Sequence, residues 1–510
     1  MFNTTSLSRE NLNLERFRDQ VLGCWTGKNI GGTLGAPFEG RRETQNVSFY
    51  VQNLAGEPEP NDDLDLQLIW LLAVEEQGLW QLNERMLAEY WMNYIVAPWN
   101  EYGIGKTNIA NGLMPPLSGA CNNERWKFSN GAWIRSEIWA CLFPGSLDEA
   151  VHFAWMDACV DHCGEGIYAE LFTTALESAA FVISDLRELI AIGLSKIPAE
   201  CRVARAVKLA LAEFDRGGDW RDAREAIVKD SADLGWFQAP ANLGFTVLGL
   251  LYGRGDFGNT ICIATNCGDD TDCTAATAGA ILGIMLGRSG IPTNWIEPIG
   301  ETIKTKAIDP FNACVPGTLD ALTGRVIRQA QLAALTNGTL PRLSDAPFAV
   351  SAEYLAKLYD DEIVRTRIWN RSSFEMRFEI NCNLTLGVEY LNGPELAPGE
   401  SFQLRLRMYP GSTDNRIAHV KVQLPAGWSA TPGAVSLICH YLRESEVVLT
   451  LTAGEFDGPF QYVPLEVSLQ DRFYPVTFRL PVQQRGAVTA GIREPFCWDM
   501  ANRTASARLV

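Results

Sequence analysis

Two short acidic runs hold the residues best suited to chemistry. Asn61-Asp62-Asp63-Leu64-Asp65 follows the turn-forming stretch Gly56-Glu-Pro-Glu-Pro60. Asn266-Cys-Gly-Asp269-Asp270-Thr-Asp272-Cys273-Thr274 precedes a run rich in Ala and Gly. Each stands at the predicted start of a helix, where Asp and Asn accept hydrogen bonds from the unpaired N–H groups of the first turn. Capping alone needs one such residue. Three carboxylates within four positions, twice, repel one another unless a cation lies among them. A hard divalent ion, Mg²⁺ or Mn²⁺, takes carboxylate, amide and hydroxyl oxygens. The expectation is that Asp62, Asp63, Asp270 and Asp272 share at least one such ion, with capping as the competing reading. Zinc is disfavoured: the helical part holds only His152 and His162, and the cysteines lack ligand spacing.

The elements that must position these residues are helices. Leu64, Leu68, Leu71 and Leu72 recur at helical spacing, and so do apolar residues in 147–155, 169–183, 203–214 and 243–252. Gly23, Gly27, Gly31 and Gly35 repeat every four residues, as do Gly279, Gly283 and Gly287. Glycine costs a helix about 1 kcal/mol relative to alanine. Repeated on one face among apolar neighbours, it predicts close approach of two helix backbones. Near residue 345 the pattern changes. Thr336 to Phe348 is rich in turn formers, and beyond it the period falls to two in 402–408, 420–424, 448–452 and 476–480. Turns such as Ala397-Pro-Gly-Glu400 and Pro425-Ala-Gly-Trp428 separate the runs. The reading is an all-α domain over 1–345, an all-β immunoglobulin-like sandwich over 346–490 and a tail over 491–510.

Composition narrows the partners. With 43 Lys+Arg against 61 Asp+Glu, the net charge of −18 opposes nucleic acid and anionic membrane surfaces. The apolar stretch 275–286 is too short to span a bilayer. The first residues, MFNTTSLSRENLNLERF, show no charged segment followed by an apolar one, so no secretory signal is expected. Scattered cysteines without a CxxC pair then predict reduced thiols and a cytoplasmic setting.

Four blocks together resemble the ADP-ribosylglycohydrolase family, also called the dinitrogenase-reductase-activating glycohydrolase type. Gly31-Gly-Thr-Leu-Gly35-Ala-Pro37-Phe-Glu39 is similar to its G-D-x-x-G-x-P-x-E, and Asn61-Asp62-Asp63 to [T/S]-D-D. Asn130-Gly-Ala-Trp-Ile-Arg135 is similar to N-G-x-x-M-R, with Asp161-His162 downstream, and Asp270-Thr-Asp272-Cys273 to D-x-D-[T/S]. The likeness covers about residues 15–335. It implies an all-α domain in which the Asp blocks meet around a pair of Mg²⁺ ions. Asn61, Asp62, Asp63, Asp270 and Asp272 would be ligands, Glu39 would sit on a mobile loop above them, and Asn130, Arg135 and His162 would lie near the substrate.

The implied activity is hydrolysis of a glycosidic bond to ribose, with Glu39 or Asp62 taking a proton from the attacking water. Tyr102 and Trp99, in a long loop with turn residues, would stack a base or sugar, or else pack beneath the surface. His162 alone reads equally as a structural histidine, and Asn130-Gly131 as a turn. Departures mark a divergent branch: Asn61 and Cys273 replace hydroxyl residues, Gly32 stands where the family has Asp, and Asp65 is additional. Two other readings stay open. One is a glycosidase of the same fold acting on a furanosyl or other carbohydrate, and the other is a non-catalytic binding protein with a structural cation. Oligomeric state is not legible.

Overall fold

The structure is a computed structural model. It describes residues 9–487 apart from 382, 412–414 and 473, together with the strands Cys497–Asp499 and Thr504–Ser506. The rest of the tail expected over 491–510, and the first eight residues, lie outside the described residues.

The chain forms two compact units. The first comprises residues 1–102, 125–158 and 162–370 and is helical. Five of its helices matter most here: α1 (Leu14–Gly35), α2 (Asp62–Gln77), α3 (Glu165–Ala180), α4 (Ala239–Gly253) and α5 (Thr271–Leu286). Helical periodicity predicted most of them, because each buries apolar side chains at helical spacing. α1 and α5 are buried almost all round, and their glycines explain how. A Cβ on Gly23, Gly27, Gly31 or Gly35 would overlap the backbone of Gly283, Gly279, Ala275 or Thr271 in turn. The two helices run backbone to backbone, and bulk at these positions is excluded. α5 also packs on α4 and on the helix Phe257–Asn266.

The turn-rich stretch after Thr336 is held in this unit. Arg342–Ser344 pairs in parallel with Asn11–Asn13, and the unit continues through Asn370. Among the described residues no helix is long and apolar enough to cross a membrane.

The second unit comprises residues 103–124, 159–161 and 371 onward. It contains two five-stranded sheets. One runs Glu375–Asn381, Leu384–Tyr390, Ser401–Met408, Ser445–Thr452, Ser429–Thr431. The other runs Glu395–Leu396, Val476–Gln484, Phe460–Leu469, Arg416–Val422, Ala434–Cys439. Alternation does the sorting: Phe402, Leu404, Leu406 and Met408 point into a core shared with Val420, Leu465 and Leu480 of the other sheet. Leu113, Leu117 and Cys121 join the same core. The two turns read from sequence place Gly399 and Gly427 at φ of 80° and 79°, a conformation that favours glycine.

Candidate active site

The α1–α5 contact sets the site. It brings Gly35, the last residue of α1, against the first turn of α5, where Thr271 Oγ1 donates to the Gly35 carbonyl at 2.8 Å. A short 3-10 turn, Ala36–Phe38, then leads to Glu39. Gly40 N–H donates to the Asp269 carbonyl at 2.8 Å, and Asp269 N–H donates to the Arg41 carbonyl at 2.7 Å. The Glu39 loop is thereby stitched to the second acidic run. Glu39, Asp270 and Asp272 each direct a carboxylate oxygen to one point, all within 4.8 Å of one another.

The first run reaches the same place from α2. Asn61 caps that helix, its Oδ1 accepting from Asp63 N–H at 2.7 Å. A side chain on residue 32 would overlap the Asn61 amide, so Gly32 makes room for the larger residue. Asp62 is bound at both oxygens: Lys306 Nζ lies 2.9 Å from Oδ1, and the Tyr102 hydroxyl donates to Oδ2 at 3.0 Å. Asp63 is buried, accepting from Cys273 Sγ at 3.4 Å, with Lys28 Nζ 3.9 Å away. Asp65, also buried, accepts from the backbone N–H groups of Lys306 and Ala307, each at 2.7 Å.

The two runs differ in what their carboxylates do for their helices. Asn61 is a true cap. Asp270, at the corresponding position of α5, makes no capping hydrogen bond. One Asp270 oxygen accepts from Asn130 Nδ2 at 2.7 Å, and its N–H donates to Asn242 Oδ1 of α4 at 3.2 Å. Asp270 Oδ1 and Asp272 Oδ1 are buried and accept no hydrogen bond from any described residue. Buried polar atoms are almost always paired, so two orphaned carboxylate oxygens beside Glu39 call for a ligand. An all-oxygen donor set of this kind fits a hard divalent cation.

The electrostatics agree. Burial, then the neighbouring Asp272 and Glu39, push the Asp270 carboxyl well above the usual range. Asp272, followed by partial burial of its carboxylate, raises Glu39 to about 7. Burial would raise Asp62 as well, but the Lys306 ammonium and the Tyr102 hydroxyl outweigh it and hold that carboxyl below the usual range. Burial keeps the Cys273 thiol protonated, so it donates to Asp63 and is a poor ligand for a hard ion.

These groups form the floor of a cleft of about 330 Å³ whose walls include Trp99, Tyr102, Asn130, Phe237 and Lys306. Every lining residue belongs to the helical unit. Trp99 is exposed, with Lys306 Nζ 5.6 Å from its ring centre. Arg135 and His162 are placed differently. Arg135 is wholly buried and does not line the cleft; its Nε donates to Asp157 Oδ1 at 2.6 Å and its Nη1 to the Gly131 carbonyl at 2.7 Å. His162 is likewise buried, its Nε2 3.0 Å from Ser129 Oγ. Both support the 129–131 segment from behind. Sequence reasoning missed Lys306, Lys28 and Asn242. The one signal was Asp65, a carboxylate in excess of what the site needs.

A model of the ADP-ribosylglycohydrolase family matches residues 13–333, the whole span that carries these groups. The chain belongs to the ADP-ribosylglycohydrolase family. The ADP-ribosylarginine hydrolase Tri1 of Pseudomonas putida (strain GB-1) is 39% identical over 49 residues, which is 10% of this chain and 13% of that relative. A solved ADP-ribosylglycohydrolase-related protein complex aligns over 62% of this chain and 100% of its own, at 18% identity and a TM-score of 0.42.

Proposed function

We propose that the chain is a divalent-cation-dependent glycohydrolase that cleaves the bond between the anomeric carbon of a ribose and its substituent in an ADP-ribosyl substrate. The observation that carries this reading is the convergence of Glu39, Asp270 and Asp272 on the cleft floor with two orphaned oxygens. Glu39, Asp270 and Asp272 would hold Mg²⁺ or Mn²⁺. When bound, that ion supplies positive charge that orients sugar hydroxyls and acidifies a water.

The protein's own groups do the rest. Asn130 fixes the rotamer of Asp270 through its amide. Tyr102 and Lys306 fix Asp62, which stays ionised at the cleft wall. Positive charge builds at the anomeric carbon as the glycosidic bond breaks, and an acidic floor stabilises it. Glu39 is the most exposed carboxylate of the cluster, and the oxygen it does not give to the cation would take the proton of the attacking water. The exposed face of Trp99 offers a stacking surface for a ring.

The test is release of free ADP-ribose from ADP-ribosylarginine and from ADP-ribose joined through oxygen to amino-acid side chains. Release with Mg²⁺ or Mn²⁺ that stops in chelator supports the reading. Equal release in chelator, or release only from simple furanosides, would overturn it.

A further inference from the structure

The two acidic runs are not equivalent, and the difference lies in their partners. In the first run the donors of Asn61 and Asp62 are engaged by the protein. Asn61 Oδ1 is spent on the helix cap, and Asp62 accepts from Lys306 and Tyr102. Asp63 Oδ1 accepts from the Cys273 thiol, a poor ligand for a hard ion, and its Oδ2, which accepts no hydrogen bond from any described residue, already faces a cation, the Lys28 ammonium 3.9 Å away. In the second run Asp270 Oδ1 and Asp272 Oδ1 are buried without a hydrogen bond among the described residues, and Glu39 completes an oxygen triad with them.

Lys306 is placed by design of the fold. Asp62 and Asp65 are three residues apart, on one face of the first turn of α2. Asp65 grips the backbone at Lys306 and Ala307, and Asp62 receives the ammonium of the same lysine. The additional carboxylate in the sequence thus has a purpose: it delivers an additional cation. A metal ion at Asp62 would have to displace that ammonium or lie beside a like charge.

Building on the metal-dependent reading above, we propose that the site takes a single divalent cation, held by Glu39, Asp270 and Asp272. The ammonium of Lys306 neutralises the first run in the place of a second ion. Lys306 is a positioning residue here, and it makes the centre a hybrid of one metal and one built-in organic cation.

Titration of the full chain with Mn²⁺, followed by electron paramagnetic resonance, counts the ions and reports whether two lie close together. The wild type should bind one Mn²⁺ per chain, with the signal of an isolated ion. Lys306→Met should raise the count to two, with a spin-coupled signal, and Asp270→Asn should abolish binding. Two coupled ions in the wild type would overturn the inference while leaving the metal-dependent reading intact. A count that stays at one in folded Lys306→Met would remove Lys306 from the role assigned to it. No bound ion in the wild type would overturn the metal-dependent reading itself. The wild-type count decides the number of ions even if the Lys306 variant does not fold.

Discussion

The backbone carbonyl of Gly279 stands where a Cβ of Gly27 would have to be, so α1 and α5 meet there with no side chain between them. The consequence is a reversal of the usual sign. Gly→Ala in an exposed helix gains about 1 kcal/mol. Gly27→Ala should instead destabilise the protein by about 1–3 kcal/mol through overpacking, and should weaken the site because Gly35 and Thr271 are aligned by the same contact. Thermal unfolding with and without Mg²⁺ checks both parts.

Beneath the first acidic run lies a buried group of charges that the mechanism does not use directly. Lys28 Nζ is 2.7 Å from Glu137 Oε1, and Gln67 Nε2 donates to Glu137 Oε2 at 2.8 Å. Lys28→Met leaves Glu137 buried with its charge partner gone and should cost about 3–5 kcal/mol. Denaturant unfolding measures it.

Glu177, on α3, sits in the same pocket and accepts from Ser136 Oγ at 2.9 Å. Burial, then Glu137, push its carboxyl well above the usual range. The folded state therefore keeps this proton over a pH range in which the unfolded chain has released it. Below the unfolded pKa the two states match; above it the unfolded chain binds fewer protons, and stability falls as pH rises. Glu177→Gln should fold normally and show a shallower loss of stability between about pH 5 and pH 8. Chemical unfolding across that range would contradict the assignment if the slopes of the two proteins coincide.

Arg135 is bonded to Asp157, whose other oxygen accepts from Trp139 Nε1 at 2.8 Å. Arg135→Met should destabilise the helical unit by about 3–5 kcal/mol, because the buried Asp157 carboxylate loses the guanidinium that faces it. A residue acting only on substrate would leave the unfolding curve unchanged, so urea denaturation distinguishes the two roles.

Asp270 makes no capping bond to α5, so Asp270→Asn should leave the helix and the melting temperature of the metal-free protein nearly unchanged. Hydrolysis should fall by at least about 10²-fold, the scale for removing one group that stabilises developing charge. Parallel assays of ADP-ribose release and of thermal shift with Mg²⁺ check this; a variant that keeps both would return Asp270 to a structural role.

Much of this was legible in the residues because the signals are local. The glycine repeats announced the α1–α5 contact, the acidic runs marked two helix starts, and strict alternation in 402–408 marked a half-buried strand. The family blocks joined these into one centre. Other features depend on contacts far apart in sequence. Lys306 lies in an irregular segment and acquires meaning only when Asp65 holds its backbone. Leu113 and Leu117 carry no strand pattern of their own, yet they pack among the strands. Arg135 matched a substrate-side block, but the burial that pairs it with Asp157 could not be read from spacing.

In the function proposed here, Glu39, Asp270 and Asp272 hold the divalent cation on which hydrolysis depends. Anomalous diffraction from crystals of the full chain grown with Mn²⁺ locates that ion. An anomalous peak should lie within coordination distance of oxygens from all three carboxylates and be absent in Asp270→Asn crystals. Crystals of the active wild-type protein with no peak there, or with the peak elsewhere, would contradict that role.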